Sequence, residues 1–360
     1  MEFPRLFVNL DKIKHNAEVI KALCLDNNIS LTGVIKGFSA IPKITDSFFQ
    51  AGYKSIASSR IDHLKMYQYL SNLEKWLIRT PMLSEVEDVV KYSDISVNSE
   101  KEVLECLNDA CKKVGITHKV VLMYDVGDLR EGLIKIDQLV EISKYVENKL
   151  DSLHLYGIGT NFTCYGTVVP TIKNANALVA AALEVENVIK RDLDIISGGA
   201  TTSLPLLVAK TIPERINHFR VGSAIMTPLE LITLWNTNVP ELKYDTFIIE
   251  AEIIELNHKP SVPIGKLHLD GFGNKKVFED RGIRKRAILA IGNADLGDCT
   301  KLKPLDSEIE ILGASSDHLI IDIDNCNHIY KVGSKVRFLL HYQNALFGLI
   351  QPTLKKIYHD

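Results

Sequence analysis

The stretch Leu31-Thr32-Gly33-Val34-Ile35-Lys36-Gly37-Phe38-Ser39 decides how this chain is read. An apolar run of strand character, Leu31 to Lys36, ends on a lysine and breaks at once into glycine and serine. An ammonium at the end of a buried strand must be desolvated or paired, and burial lowers its pKa. A neutral amine held there can form a Schiff base with an aldehyde. The plainer alternative is a lysine that snorkels from a strand end to water, and the rest of the chain decides between the two.

Outward from this stretch, short apolar runs alternate with amphipathic helical stretches as far as about residue 230. Upstream, Leu6 to Leu10 predicts a strand, and Asp11 predicts the N-cap of a helix through Cys24 with Ile13, Ala17, Ile20 and Leu23 on one face. Downstream, strand-like runs recur at 55–58, 76–79, 95–98, 119–124, 153–158, 194–197 and 218–221, with helical stretches at 84–92, 99–114, 136–147 and 172–190. With Leu31 to Lys36 these make eight repeats, which predicts an α/β chain whose residues 11–232 form a closed eight-stranded (β/α) barrel, TIM-like, with its active site at the C-terminal strand ends. An open doubly wound sheet is the competing arrangement. No Gly-x-Gly-x-x-Gly turn follows the first strand, so a dinucleotide fold has little support.

Beyond the barrel the texture changes. Residues 233–360 carry runs at 247–254, 286–291, 308–312, 318–323 and 335–340 separated by Gly, Pro and Asn or Asp turns, predicting a β-rich C-terminal domain with no long helix. The strand within 1–10 precedes the barrel's first helix and is expected to join that domain. A chain of 360 residues, 46% hydrophobic, can fill a large core plus a smaller one. Its net charge of −3 gives no pull toward nucleic acid or an anionic membrane. No 18-residue apolar run and no leader-like segment is apparent, so a cytoplasmic protein is expected. The six cysteines lack a Cys-x-x-Cys pair, which argues against a zinc site and a disulfide framework, and no metal is expected.

In the barrel register, each strand end can be inspected for chemistry. The seventh ends in Ser197-Gly198-Gly199-Ala200-Thr201-Thr202-Ser203 and the eighth in Arg220-Val221-Gly222-Ser223. Loops at these two positions form the recurrent phosphate site of such barrels, where glycines admit backbone N–H groups to an anion and hydroxyls add donors. A tight turn followed by a helix cap would use the same residues. The fifth strand ends in Asp125-Val126-Gly127-Asp128-Leu129-Arg130-Glu131-Gly132, where Arg130 is either a solvated cation or a fixed donor to an anion. The sixth reaches Gly157-Ile158-Gly159-Thr160-Asn161-Phe162, where Asn161 is either a turn residue or part of the site.

A strand-end lysine, an Asp-x-Gly-x-x-Arg segment, a Gly-x-x-Thr segment, a Ser/Thr-rich turn and a closing Arg-x-Gly together resemble, in this order, the fold-type III pyridoxal-phosphate enzymes of the alanine racemase type. The resemblance spans nearly the whole chain. Asp125 to Gly132, Gly157 to Phe162, Ser261-Val262-Pro263-Ile264-Gly265 and Gly313-Ala314-Ser315-Ser316-Asp317-His318 are similar to the branch that racemises ornithine. The resemblance implies that Lys36 holds pyridoxal 5'-phosphate covalently and serves as one proton-transfer base. It implies that Arg220 hydrogen-bonds the pyridine nitrogen, which a guanidinium cannot protonate further, so the ring is a weak electron sink suited to brief Cα deprotonation. Arg130 would face the cofactor's phenolic oxygen and the substrate carboxylate, with Asn161 beside the cofactor. Thr201, Thr202, Ser203, Gly222 and Ser223 would form the phosphate cradle.

Three departures stand out. Met123 occupies the place of a lysine found beside the substrate arginine in many alanine racemases, Asn161 replaces a histidine stacked near the cofactor, and Ile264 occupies the place of the catalytic tyrosine that the partner subunit supplies. Isoleucine cannot move a proton. Asp317 and His318, in a segment that reaches the partner's site in the family, are the candidate replacements, histidine being a side chain that titrates near neutrality. A surface histidine at a strand start is the competing reading. The expectation is thus an isomerase of amino-acid metabolism, an amino-acid racemase of the ornithine or alanine racemase type, acting as a homodimer on a small amino acid. The other classes are a lyase or decarboxylase on the same fold and a non-catalytic pyridoxal-phosphate-binding protein, against which the long β-rich domain argues.

Overall fold

The computed structural model describes residues 3–273 and 275–360. The chain forms two compact units, one of residues 13–242 and one that joins the N-terminal segment through Lys12 to residues 243–360. Strand β1 (Arg5–Asn9) belongs to the second of these.

The first unit is a closed parallel barrel. Its strands are β2 (Ser30–Val34), β3 (Ser55–Ser58), β4 (Glu74–Leu77), β5 (Ile95–Asn98), β6 (His118–Met123), β7 (Leu153–Gly159), β8 (Ile195–Ser197) and β9 (His218–Val221). They pair in chain order, and β9 closes on β2 with Leu31 opposite Phe219 and Thr32 opposite Arg220. Val34, Ala57, Trp76, Ile95, Val97, Val121, Met123 and Ile195 form a buried cluster across six of these strands, the layered apolar filling that makes such a barrel a solid core.

Closure depends on two close backbone approaches. A Cβ at Gly157 in β7 would lie 1.9 Å from the Ile195 carbonyl oxygen, and one at Gly222, just beyond β9, would lie 2.7 Å from that of Val34. Gly33 similarly leaves room for Phe48 and Tyr53, which lets the helix Pro42–Gln50 sit against β2. That helix differs from the sequence reading, which left its residues unassigned. The outer helices follow their apolar spacing: Lys101–Val114 buries Val103, Leu104, Leu107, Ala110 and Cys111, and it stops at Gly115 in the left-handed region. Ile172–Ile189 starts on a reciprocal cap between Thr171 and Asn174. The first helix, Leu10–Leu25, is capped by Asn9, whose Oδ1 accepts the Lys12 N–H at 2.7 Å. Asp11, expected as the cap, instead falls in the first turn, where its charge suits the helix dipole.

The second unit is antiparallel for the most part. It contains β10 (Phe247–Pro260), β11 (Ile283–Leu289), β12 (Lys303–Pro304), β13 (Glu310–Ala314), β14 (Leu319–Asp322), β15 (Lys335–Leu339) and β16 (Lys355–His359). The first part of β10 pairs with β15 and β1, and after a bulge near Ile253 the rest pairs with β11. β1 also runs parallel to β16. The domain is β-rich, as expected, and carries one short helix of nine residues, Tyr342–Ile350, that the sequence reading did not include. Its sequence is apolar almost throughout, so the helical period is hidden. Asn344 ties it down by donating to the carbonyls of Leu296 and Asp298, both at 2.9 Å. Among the described residues no helix is long and apolar enough to cross a membrane.

Candidate active site

The site is assembled at the C-terminal ends of the barrel strands. β2 ends at Val34, two residues earlier than the sequence reading, after which the Ile35 N–H donates to the Ala57 carbonyl at 2.9 Å. Lys36 then opens a single 3₁₀ turn, Lys36–Phe38, and Ser39 and Ala40 both take positive φ to bring the chain into the following helix. This turn half-buries the Lys36 side chain. Burial lowers the amine's pKa, Arg130 and more weakly Arg220 push it the same way, and Cys164 and Glu131 oppose them. The lysine therefore shares its electrostatic environment with two arginines, although each comes from a different strand end.

Arg130 stands on the loop after β6, and the loop's shape explains its motif. Asp125 accepts the N–H groups of Gly127 (2.8 Å) and Leu129 (3.2 Å), Gly127 takes φ +116°, and Leu129 follows at φ +54°. The Arg130 guanidinium donates to Glu131 Oε1 at 2.6 Å and also pairs through Nε with the other carboxylate oxygen. Asn161, from the loop after β7, donates to the same carboxylate. Glu131 is thus the hub between two candidate residues, and the sequence reading passed over it; its only signal was an acid beside the arginine.

Asp128 was also passed over. Its carboxylate, 2% exposed, accepts the backbone N–H groups of Thr163 (2.9 Å), Cys164 (3.1 Å), Tyr165 (3.1 Å) and Val168 (3.3 Å). Burial alone would raise its pKa, but these four donors outweigh that and hold it below the usual carboxylate value. The loop after β7, with Asn161, is thereby pinned to the loop after β6, with Arg130.

The opposite side of the mouth comes from β8 and β9. Arg220 is 4% exposed and donates from Nε to Ser197 Oγ at 3.0 Å and from Nη2 to the Thr160 carbonyl at 2.6 Å. Among the described residues its Nη1 edge makes no hydrogen bond. Burial pulls its pKa down to about 10, with Glu131 opposing. Thr201 Oγ1 accepts the Ala224 N–H at 3.1 Å, which joins the two glycine-bearing loops and leaves the Thr201 hydroxyl proton free. Ser223 begins the short helix that follows Gly222. Thr202 and Ser203 hold the loop instead, their hydroxyls donating to the carbonyls of Phe162 (3.4 Å) and Gly198 (3.1 Å).

Lys36, Arg130, Asn161, Thr201, Gly222 and Ser223 stand on segments that follow the barrel strands, and Arg220 lies within the last strand, β9. Asp317 and His318 belong to the other unit, in the exposed turn between β13 and β14. Ser316 donates to Asp317 at 2.5 Å, and the His318 N–H donates to Ser315 Oγ at 3.2 Å. Ile264 is 92% exposed. The barrel mouth fits a phosphorylated ring aldehyde: a depressed amine to bond it, a buried guanidinium with an unused edge, and a glycine cradle with a free hydroxyl proton.

Comparisons with known proteins bear on the family and the fold. Residues 8–228 match the family model of the alanine racemase N-terminal domain. The chain is 41% identical to an ornithine racemase of Acetoanaerobium sticklandii over 98% of its own length and 99% of the relative's. It is 36% identical to a lysine racemase of Thermotoga maritima over 99% of both. A solved alanine racemase from Bartonella henselae, with covalently bound pyridoxal phosphate, shares the fold with a TM-score of 0.71 and 16% identity over the whole of both chains. Lysine, arginines and glycine loops thus occur in a chain that belongs to the alanine racemase N-terminal domain family.

Proposed function

We propose that this protein is a cytoplasmic, homodimeric, pyridoxal-phosphate-dependent amino-acid racemase, an isomerase acting on ornithine or a related amino acid. The observation that carries the reading is Lys36: a half-buried lysine of lowered pKa at the mouth of a barrel, in the fields of Arg130 and Arg220. The named substrates of its two relatives, ornithine and lysine, both carry a side-chain amine. Bound pyridoxal phosphate supplies an electron-withdrawing ring that acidifies the Cα–H of an amino acid.

The chain's own residues do the rest. Lys36 is the covalent attachment point, and its amine, whose pKa burial lowers, removes or returns the Cα proton on one face. Glu131 holds the Nε/Nη2 edge of Arg130, and the guanidinium presents its remaining Nη1 side to the substrate carboxylate. Arg220 offers only donors to the ring nitrogen, which favours proton removal and return over transamination. Thr201, Gly222 and Ser223 receive the phosphate. Thr202 and Ser203 fix the shape of that loop. Asn161 borders the ring. Inversion needs a second group on the opposite face, and we assign it to Asp317 and His318 of the partner subunit.

The first test is of the cofactor link. Borohydride treatment of the protein loaded with pyridoxal phosphate should fix the cofactor irreversibly to the peptide that contains Lys36, and Lys36→Ala should lose both the link and turnover. A covalent link that survives in Lys36→Ala removes the assignment. Substrate choice is read by incubating L-ornithine, L-lysine and L-alanine in deuterated water and following Cα exchange and inversion; release of ammonia or carbon dioxide in place of inversion would favour a lyase or decarboxylase.

A further inference from the structure

A chain of polar atoms runs through the barrel interior behind Arg220. Ser197 Oγ lies 3.0 Å from Arg220 Nε and 2.9 Å from His218 Nδ1. On the other side of the imidazole, His218 Nε2 lies 2.9 Å from Thr32 Oγ1, which is 2.8 Å from Ser55 Oγ, which in turn reaches the Leu31 carbonyl at 3.3 Å. His218 is buried and stacks on Trp76, the ring centroids 4.6 Å apart and the planes 8° from parallel.

The direction of the protons in this chain follows from its two ends, a guanidinium that can only donate and a carbonyl that can only accept. A guanidinium has no acceptor, so Arg220 Nε–H must donate and Ser197 Oγ must accept. A hydroxyl oxygen has two lone pairs, so the other end of the chain fixes the imidazole: the Leu31 carbonyl takes the Ser55 proton, Ser55 Oγ takes that of Thr32, and Thr32 Oγ1 is left to accept from His218 Nε2–H, while Nδ1 of the neutral ring accepts from Ser197. The imidazole therefore carries its proton on Nε2 and donates to Thr32, whose hydroxyl donates to Ser55 and so to the Leu31 carbonyl. Each hydroxyl accepts one bond and donates one. A charged imidazole would present a second N–H to Ser197, whose oxygen already accepts from Arg220, and its proton would lose its acceptor.

We propose that His218 is the positioning residue of Arg220: as the neutral Nε2–H tautomer it fixes Ser197 as an acceptor, and Ser197 together with the Thr160 carbonyl fixes the plane of the guanidinium. Two bonds in different directions, from Nε and Nη2, determine the orientation of a planar group, and they leave Nη1 as the edge presented to a ligand. The proposal rests on the racemase reading for the identity of that ligand, the pyridine nitrogen. The geometry of the chain of bonds stands without it.

The test has two arms so that the two ideas fail separately. In the first, the full-length protein labelled with ¹⁵N in histidine and arginine is studied by NMR at pH 7. His218 should show a bare Nδ1 and a protonated Nε2, and the Arg220 Nε–H should be resolved and slow to exchange. In the second, His218→Leu and His218→Asn are loaded with pyridoxal phosphate. The leucine variant should show faster Arg220 Nε–H exchange and a shifted cofactor absorbance, with kcat falling on the order of 10²-fold, as for a misplaced reacting group, and KM little changed. Asparagine, which retains an acceptor near the Nδ1 position, should recover part of both spectrum and kcat. A charged or Nδ1–H imidazole in the wild type overturns the proposal, as does a leucine variant with wild-type absorbance and kcat. Wild-type protein that shows the predicted tautomer yet takes up no pyridoxal phosphate overturns the racemase reading alone.

Discussion

Asp128 ties two loops of the site together through one side chain. Its carboxylate accepts four backbone N–H groups of the 163–168 segment, and a Cβ on Gly166 would come within 2.3 Å of the Asp128 carbonyl oxygen, so the segment is both bonded and closely packed there. Asp128→Asn replaces one acceptor oxygen by an NH₂ that faces donors, which should cost about 2–4 kcal/mol of stability. Hydrogen exchange should quicken first in residues 160–168, and protection equal to wild type in that segment would show that the carboxylate is not what holds it. The pH dependence has a definite sign. Because the folded pKa lies below the ordinary 3.8, the stabilisation is fully present above that value and is lost as pH falls through the lowered one. Lys36, Arg130 and Arg220 were legible in the sequence because each lies at or just beyond the end of a recognisable strand, and strand ends are where such barrels keep their chemistry. Asp128, Glu131 and His218 were not, since their partners are side chains and N–H groups of other loops or strands, and the sequence carries no register between those segments.

At the level of elements, all eight barrel strands were legible as short apolar runs, because a parallel strand buried on both faces has a continuous apolar signature. Their ends were less so. β2 stops at Val34 because the chain turns at Lys36, and β10 runs on to Pro260 through residues too polar to read as a buried strand. The helix Tyr342–Ile350 and the strand β16 escaped for opposite reasons, the one apolar on every face and the other partly exposed along its length. The barrel's strands also carry two histidines inside. His118 at the start of β6 bonds Ser96 Oγ at 2.9 Å, and His218 starts β9; burial pushes their pKa values down to about 4 and about 3. The unfolded chain binds protons at both near pH 6.5 while the folded barrel refuses them. Stability should therefore fall with pH below about 6.5, by about 1.4 kcal/mol per pH unit for each histidine, until the folded values are reached. Urea unfolding between pH 6 and pH 4.5 measures this, and His118→Gln should remove one histidine's share of the slope. An unchanged slope in that variant would mean that the acid sensitivity lies elsewhere.

For the whole molecule, the order of the chain is informative: it begins with a strand of the β unit, builds the barrel, and returns to finish the β unit, with β1 lying between β10 and β16. The second proton-transfer group is proposed to come from that unit of the partner subunit, because Lys36 is anchored to one strand end and serves one face of the substrate. The β13–β14 turn with Asp317 and His318 is exposed and held by its own serines, as a contribution to another chain requires. This arrangement predicts complementation between two inactive variants. One carries Lys36→Ala in an otherwise intact chain, and the other carries Asp317→Asn with His318→Asn. In a two-fold dimer each site draws its lysine from one subunit and its acid–base turn from the other. After mixing and reassociation, half of the dimers should be mixed, each with one intact and one doubly defective site, so that activity recovers to about a quarter of wild type for a symmetric dimer. Each variant alone should remain inactive for inversion, while the Asp317/His318 variant should still exchange the Cα proton of one enantiomer through Lys36. Inversion restored to the predicted fraction assigns the lysine and the turn to different subunits. Full racemase activity in the Asp317/His318 variant by itself would instead send the search for the second group to other polar residues of the β unit, with His268 and Asp270 the first to substitute, and would leave the attachment at Lys36 untouched.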